Sequence, residues 1–154
     1  MRRACDNENI GSNGIHIVIP LPSGTTYETS ATLAMLIARV VVAHRPECAT
    51  VERSVRARPA GTIYVDSMQN ARGKSMACAY SVRAKEGATV SAPLQQREPK
   101  ERLRTSSFTA KTLPARAARI GDVWGDALAK KPSARVLTRA MKGLEHVLAG
   151  ASEA

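Results

Sequence analysis

Asp66 is the side chain best placed to do chemistry, because it follows the β-branched and aromatic run Thr62 to Val65 and precedes turn-forming residues. A carboxylate at the end of a strand can leave the sheet edge and face a cleft, where it can bind a divalent metal beside a phosphate. An Asp in this position more often caps a turn. Asp66 is therefore a candidate catalytic and metal-binding residue, with the turn cap as the alternative.

A second polar group, His16, lies within Ile15 to Leu21, a segment whose β-branched residues predict a strand. The preceding turn, Gly11 to Gly14, contains Ser12. Backbone N–H groups in such a turn can bind a phosphate, although most glycine turns only reverse the chain. A histidine on an apolar strand is more often a core residue than a ligand. Ser12 and His16 are candidate phosphate-binding residues with those alternatives open.

Arg83 interrupts another apolar run, Met76 to Val82, which predicts a further strand. On a buried strand its guanidinium would need an anionic partner, because an unpaired buried charge destabilises the fold by several kcal/mol. Either Asp66 or a bound phosphate would serve.

The chain is strongly basic, with 23 Lys and Arg against 13 Asp and Glu, a net charge of +10 and a pI near 10.2. This balance favours a polyanionic partner such as nucleic acid, although a simple solvated surface is the alternative. The cations expected to contact nucleic acid lie on either side of Asp66: Arg53, Arg56, Arg58, Arg72 and Lys74.

Local signals predict a small α+β or α/β domain. Capping hydroxyls before Tyr27 and the stop at Arg45-Pro46 predict a helix from Tyr27 to about His44. A last helix is predicted after Lys131-Pro132-Ser133, where apolar residues recur at helical spacing. With the strands before Asp66 and Arg83, the order is β-α-β-β followed by C-terminal helices.

Several classes of protein are disfavoured. The longest apolar run, Leu33 to Ala43, contains Arg39 and is shorter than the roughly 20 residues needed to cross a bilayer. No apolar segment lies close behind Arg2-Arg3, so a signal peptide is not expected. The three Cys and three His residues do not form a zinc-ligand pattern. We therefore expect a cytoplasmic protein without membrane contact.

Several blocks together carry a family resemblance. The chain after about Ile10 resembles the C-terminal part of the polymerase domain of bacterial ligase D, a member of the archaeo-eukaryotic primase superfamily. The similar blocks are Gly14-Ile-His-Ile-Val-Ile-Pro-Leu21, Thr62-Ile-Tyr-Val-Asp66, Gln69-Asn-Ala-Arg-Gly73, Ala79-Tyr-Ser-Val-Arg-Ala84, Pro93-Leu94, Lys111-Thr-Leu-Pro114 and Gly121-Asp-Val-Trp124.

The resemblance implies a partial primase-polymerase fold, a mixed sheet packed by helices, over residues 11–130. Residues 1–10 would be a disordered lead-in, and residues 131–154 a C-terminal helix and tail. The implied activity is nucleotidyl transfer to a DNA 3′-hydroxyl in non-homologous end joining, with Mn or Mg ions. Asp66 resembles the third metal-binding carboxylate of the family, and His16 and Arg83 resemble triphosphate-contacting residues, with Ser12 as an imperfect stand-in.

The implied partners are DNA ends and nucleoside triphosphates at the bacterial nucleoid. An upstream polymerase half, a ligase domain or a ring protein that binds DNA ends would be further partners. No membrane partner is implied.

The chain departs from the family pattern in the number and position of its acidic residues. The family's paired Asp-x-Asp motif lies upstream of the His16 strand, where this chain has only Asp6 and Glu8. One carboxylate cannot hold two divalent cations, since each hard cation takes several oxygen ligands. We therefore expect a polymerase fragment that is inactive alone. The alternatives are a non-catalytic basic module that binds nucleic acid or nucleotides, and an inert remnant that folds poorly.

Overall fold

The computed structural model describes residues 14–95, 98 and 104–151. Ser12, the residues 1–10 and most of the charged segment after Gln95 lie outside the described residues. The chain divides into two compact units, the first within Met1–Ser75 and Pro132–Ala154 and the second within Met76–Lys131. Helices and a small parallel sheet make up the described part, which confirms the predicted α+β class.

Helix α1 of the first unit spans Tyr27–His44, as the capping signals predict. Thr26 caps its N-terminus, because the Thr26 side chain accepts a hydrogen bond from the Thr29 N–H at 3.2 Å. Glu28 in the first turn complements the helix dipole, and hydrogen bonds to backbone and to Thr26 lower its carboxyl pKa. Leu33, Leu36 and Ala38 form the buried part of α1.

Strands β1 (Ala49–Thr50) and β2 (Ile63–Tyr64) form a two-stranded parallel sheet. Ala49 pairs with Ile63 and Thr50 with Tyr64. The backbone N–H of Val65 continues the ladder by donating to the Thr50 carbonyl at 2.9 Å. Both residues of β1 are buried, so this strand anchors the sheet in the core. The sheet in turn positions the residues that follow β2.

Helix α4, Ala134–Ala151, packs against α1 within the first unit. Its half-buried residues Leu137, Met141, Leu144 and Leu148 recur at helical spacing, as predicted. Val136, another apolar residue of this helix, is 57% exposed. No helix in the described part of the chain is long and apolar enough to span a membrane.

The strand predicted from Ile15 to Leu21 is absent. The residues from Gly14 to Pro22 have no regular secondary structure, and Ile15 and Ile17 are 67% and 83% exposed. A strand needs a hydrogen-bonded neighbour, and none of the described segments pairs with this one. The apolar core of the described residues is correspondingly small, with five buried apolar side chains: Leu33, Leu36, Ala38, Ala49 and Val90.

The second unit contains short antiparallel pairings in place of the predicted strand from Met76 to Val82. A single bridge joins Val82 to Val90, and another joins Thr89 to Thr109. A turn at Glu86-Gly87 connects Val82 to Val90, with Gly87 at φ 79°, a conformation that favours glycine.

Three short helices complete the second unit: a 3₁₀ turn at Thr105–Ser107, α2 at Leu113–Ile120 and α3 at Val123–Leu128. Asp122 caps α3 by accepting from the Trp124 N–H at 3.2 Å, and also accepts from the Tyr80 hydroxyl at 2.8 Å. These bonds lower the pKa of Asp122, with hydrogen bonding to the Gly125 backbone as the largest cause. Asp122 thus connects α3 to the Tyr80 segment.

Arg116 of α2 forms several polar contacts inside the second unit. Its guanidinium donates to both carboxylate oxygens of Glu98, at 2.5 and 2.8 Å, and to the Pro93 carbonyl at 2.9 Å. The guanidinium carbon also lies over the ring of Phe108, at 5.2 Å from its centroid, a distance typical of a cation–π contact. The Arg116 hydrogen bonds lower the pKa of Glu98, so the pair is ionised at neutral pH.

Candidate functional site

Asp66 lies two residues after the end of β2, where the chain leaves the sheet. One of its carboxylate oxygens, Oδ1, accepts from the Met68 N–H at 2.9 Å and from the Tyr64 hydroxyl at 3.4 Å. The first of these bonds closes a turn, so the turn-cap role considered from the sequence is realised. The Asp66 side chain is exposed, and its other oxygen, Oδ2, has no hydrogen bond among the described residues.

Tyr64 connects Asp66 to the basic loop between β1 and β2. The guanidinium of Arg58 stacks over the Tyr64 ring at 4.8 Å from the centroid, a distance typical of a cation–π contact. Partial burial is the largest cause that raises the Tyr64 pKa, followed by the charge of Asp66. The phenol therefore stays protonated at neutral pH and can donate to Asp66.

Arg58 is itself held by the loop that precedes it. Its Nε donates to the Glu52 carbonyl and its Nη2 to the Arg53 carbonyl, both at 3.3 Å. The loop follows Thr50 of β1, whose hydroxyl accepts from the Glu52 N–H at 3.0 Å. Backbone bonds therefore order the loop and leave the side chains of Arg53 and Arg56 exposed to solvent.

A cavity of about 220 Å³ opens beside this site within the first unit. Its walls are largely apolar, and two arginines, Arg39 and Arg53, lie among the lining residues. Neither forms an ion pair with a carboxylate among the residues that the structure describes. The cavity lining comprises Met35, Ala38, Arg39, Val51, Arg53, Tyr64, Val65, Ser67 and Met68.

The first unit also contains most of the other predicted site residues. Arg72 and Lys74 are exposed and flank Gly73, which turns the chain at φ 79°. The start of this segment is attached to α1, because the Ser30 hydroxyl donates to the Asn70 side chain at 3.3 Å. His16 is exposed in the irregular segment before α1, so it is not the core residue that the alternative reading proposed.

Arg83 belongs to the second unit, and the expectation that its guanidinium needs an anionic partner on a buried strand was wrong. Its side chain is exposed, so the argument that a buried guanidinium must find an anionic partner does not apply. The reason is that the predicted apolar strand is reduced to one bridge, and Arg83 takes part through its backbone N–H, which donates to the Thr89 carbonyl at 2.7 Å.

The residues around Asp66 do not fit a two-metal centre. Among the described residues no three His, Cys, Asp or Glu side chains lie close enough together to hold a metal ion. Among the described residues, Asp66 accepts from a tyrosine hydroxyl and a backbone N–H, which act here as hydrogen-bond donors and not as metal ligands. The geometry therefore presents one carboxylate oxygen, a set of exposed arginines and a small apolar cavity.

Sequence reasoning missed the contact of Arg58 with Tyr64 and the Arg116–Glu98 pair. The first had a local signal, because a strand-end aromatic six residues after an arginine can meet it across the turn at Gly61. The second joins residues 18 apart, and no periodicity in the sequence indicates it.

Comparisons with known proteins place these residues in a family. A family model described as the LigD primase-polymerase domain matches residues 8–124, which include Asp66, the basic loop and most of the second unit. The bifunctional non-homologous end joining protein LigD of Bacillus subtilis is 38% identical over 112 residues, 72% of this chain and 18% of that protein. The multifunctional LigD protein of Pseudomonas aeruginosa is 31% identical over 118 residues, 75% of this chain and 14% of that protein.

The matched family model is that of a primase-polymerase domain. The chain belongs to the LigD primase-polymerase domain family, as the resemblance predicted. It spans less than a fifth of the length of these two relatives, 18% and 14% respectively.

Proposed function

We propose that this chain is the C-terminal portion, over residues 11–130, of a LigD-type DNA repair polymerase domain, followed by a C-terminal helix and tail. In this function a nucleotide is transferred to a DNA 3′-hydroxyl during non-homologous end joining. The observation that supports the proposal most is the family match over residues 8–124, which spans the Asp66 segment and the Arg83 segment.

The proposed roles follow the family pattern. Asp66 would be the catalytic metal-binding carboxylate, and Ser12, His16 and Arg83 would contact the triphosphate. Arg53, Arg56, Arg58, Arg72 and Lys74 would contact DNA. Mn or Mg would supply the charge that stabilises the attacking and leaving oxygens.

We further propose that the chain does not catalyse this reaction by itself. Asp66 has one oxygen engaged by Tyr64 and Met68, and it offers a single anionic ligand where two divalent ions need several. The missing carboxylates would come from an upstream polymerase half. A ligase domain and a ring protein that binds DNA ends remain proposed partners.

A primer-extension assay tests this proposal. The purified chain is incubated with gapped DNA, Mn and ribonucleotides, beside an established template-dependent polymerase as the positive control. We expect no templated addition by this chain. Robust addition that disappears in Asp66→Ala would contradict the proposal, whereas addition that persists in Asp66→Ala would indicate a contaminating polymerase.

A non-catalytic nucleic-acid-binding module is the second candidate function. The exposed arginines of the loop between β1 and β2 favour it, because Arg53 and Arg56 have no carboxylate partner among the described residues. Cations that contact phosphates release counterions, so the affinity for DNA would fall steeply with salt.

This candidate is tested by fluorescence anisotropy with labelled DNA over a range of salt concentrations. Arg56→Ala should weaken binding uniformly across sequences and reduce the slope of log affinity against log salt by about 1. Arg135→Ala is the matched control, because Arg135 is an exposed arginine of α4 outside the loop. Binding that does not change with salt would contradict the proposal that the chain is a nucleic-acid-binding module. Equal effects of Arg56→Ala and Arg135→Ala would also contradict it.

A further inference from the structure

The cavity of about 220 Å³ beside Asp66 has two cations in its wall. Arg39 comes from α1, and Arg53 comes from the loop between β1 and β2. Both residues are exposed, and neither forms an ion pair with a carboxylate in the part of the chain that the structure describes. Two guanidinium groups that line one cavity favour an anionic ligand, and phosphate oxygens match their donors.

Arg39 interrupts the apolar run from Leu33 to Ala43. The buried part of α1 consists of other residues, so Arg39 is not needed for the packing of the helix. It lies four residues after Met35, on the same helix face, and both side chains line the cavity. The position of Arg39 therefore fits a role in binding.

The rest of the cavity wall is largely apolar and includes an aromatic ring. Met35, Val51 and Met68 are 39%, 47% and 60% exposed, so their apolar atoms are accessible to a ligand. Tyr64 also lines the cavity, and the guanidinium of Arg58 lies over its ring. Apolar walls with an aromatic side chain and nearby cations are typical of sites that bind a base and its phosphates.

The volume of the cavity limits the ligand to about one ring system. Cavities that enclose drug-sized molecules have volumes of about 300–1,000 Å³, and this one is smaller. A single base can enter it while the sugar and phosphates stay outside. In a nucleic acid strand each base has a phosphate on either side, which matches a wall with two arginines. A duplex keeps its bases stacked and paired, so only an unpaired base is available.

We propose that this cavity binds one unpaired base of single-stranded DNA, with Arg39 and Arg53 on the flanking phosphates and the base against Tyr64. The proposal rests on the second candidate function, nucleic-acid binding, and it adds Arg39 to the residues that contact DNA. The net charge of +10 favours the same partner. Stacking on an aromatic side chain tolerates any base, so no sequence preference is expected.

Filling the cavity without a change of charge tests the contact with the base. Fluorescence anisotropy compares labelled oligothymidine with an abasic strand of the same length and charge. The wild-type chain should bind oligothymidine at least about fivefold more tightly, which corresponds to one stacked base. Val51→Phe should abolish this preference and leave the affinity for the abasic strand unchanged. Val55→Phe is the matched control, because Val55 is 78% exposed in the same loop and does not line the cavity.

Removing a cation tests the contact with the phosphates. Arg39→Gln should reduce the slope of log affinity against log salt by about 0.7 for both strands, the value for one phosphate contact on a single strand. Arg135→Gln loses the same charge from an exposed position of α4, outside the cavity, and should leave the slope unchanged.

The methionine methyl groups give a second readout by nuclear magnetic resonance. A base in the cavity should shift the signals of Met35 and Met68 through its ring current. Met76 is the internal control, because it is 52% exposed but belongs to the second unit, and its signal should stay in place. The abasic strand should shift none of the three signals.

The outcomes separate this proposal from the function on which it rests. Salt-dependent binding of both strands with equal affinity, unchanged in Val51→Phe, overturns the base-binding cavity and leaves the nucleic-acid-binding module standing. A chain that binds neither strand overturns both. If thymidine monophosphate shifts the Met35 and Met68 signals and oligothymidine does not, the ligand is a free nucleotide and the assignment to a DNA strand is wrong.

Discussion

Replacing Arg116 by Met tests how the second unit is held together. The guanidinium lies 11% exposed and its partner Glu98 19% exposed, so both charges are largely removed from water. Arg116→Met deletes two hydrogen bonds to Glu98, one to the Pro93 carbonyl and the stacking contact with Phe108. The Glu98 carboxylate would keep the hydrogen bond that it accepts from the Gln95 N–H at 2.6 Å.

The expected cost follows from the unpaired charge. Removing one partner of a buried ion pair costs about 3–5 kcal/mol. Because Glu98 keeps access to water, we expect the lower end, about 3 kcal/mol in the free energy of unfolding. Replacing both partners, as in Arg116→Met with Glu98→Met, should recover much of this loss, since no unpaired charge then remains.

Urea unfolding followed by tryptophan fluorescence measures this change. Trp124 is the single tryptophan of the chain and lies in α3, so its signal reports on the second unit. Lys111→Met is the matched control in the same unit, because the Lys111 side chain is exposed, and it should change the free energy of unfolding by less than about 0.5 kcal/mol. An equally small effect of Arg116→Met would refute the reasoning.

Three further predictions concern Glu98 and the two helix caps. The Glu98 pKa lies below its ordinary value of 4.5, so its contribution to stability is present above about that pH and lost as the pH falls through the folded-state pKa; Glu98→Gln should flatten this acid dependence in urea titrations. Thr26→Ala removes the cap of α1 and should cost about 1 kcal/mol in thermal unfolding, with Thr26→Asn close to wild type. Asp122→Ala removes the cap of α3 and the acceptor of Tyr80, and should cost about 1–2 kcal/mol by Trp124 fluorescence, with a smaller loss in Asp122→Asn.

The two long helices could be predicted from the sequence because their signals are local. Thr26 and Arg45-Pro46 mark the ends of α1, and the spacing of apolar residues marks α4. The same kind of signal was present for α2 and α3, where Pro114 lies in the first turn of one helix and Asp122 caps the other. These positions were not predicted, although capping rules were sufficient to find them.

The strands were harder to predict because a strand depends on its neighbour. Ile15 to Leu21 has the composition of a strand but no hydrogen-bonded partner among the described residues. The expected burial of Arg83 failed for the same reason, since it rested on a strand that forms only one bridge. Asp66 was correctly placed at the end of β2, because the run before it and the turn after it are both local.

A titration of Mn²⁺ into the purified chain, followed by electron paramagnetic resonance of the free ion, tests the central claim most directly. The claim is that Asp66 alone does not form the two-metal centre of a polymerase. We predict that the wild-type chain and Asp66→Asn leave the same amount of free Mn²⁺ at every concentration. Tight binding of two ions by the wild-type chain that is lost in Asp66→Asn would contradict the claim.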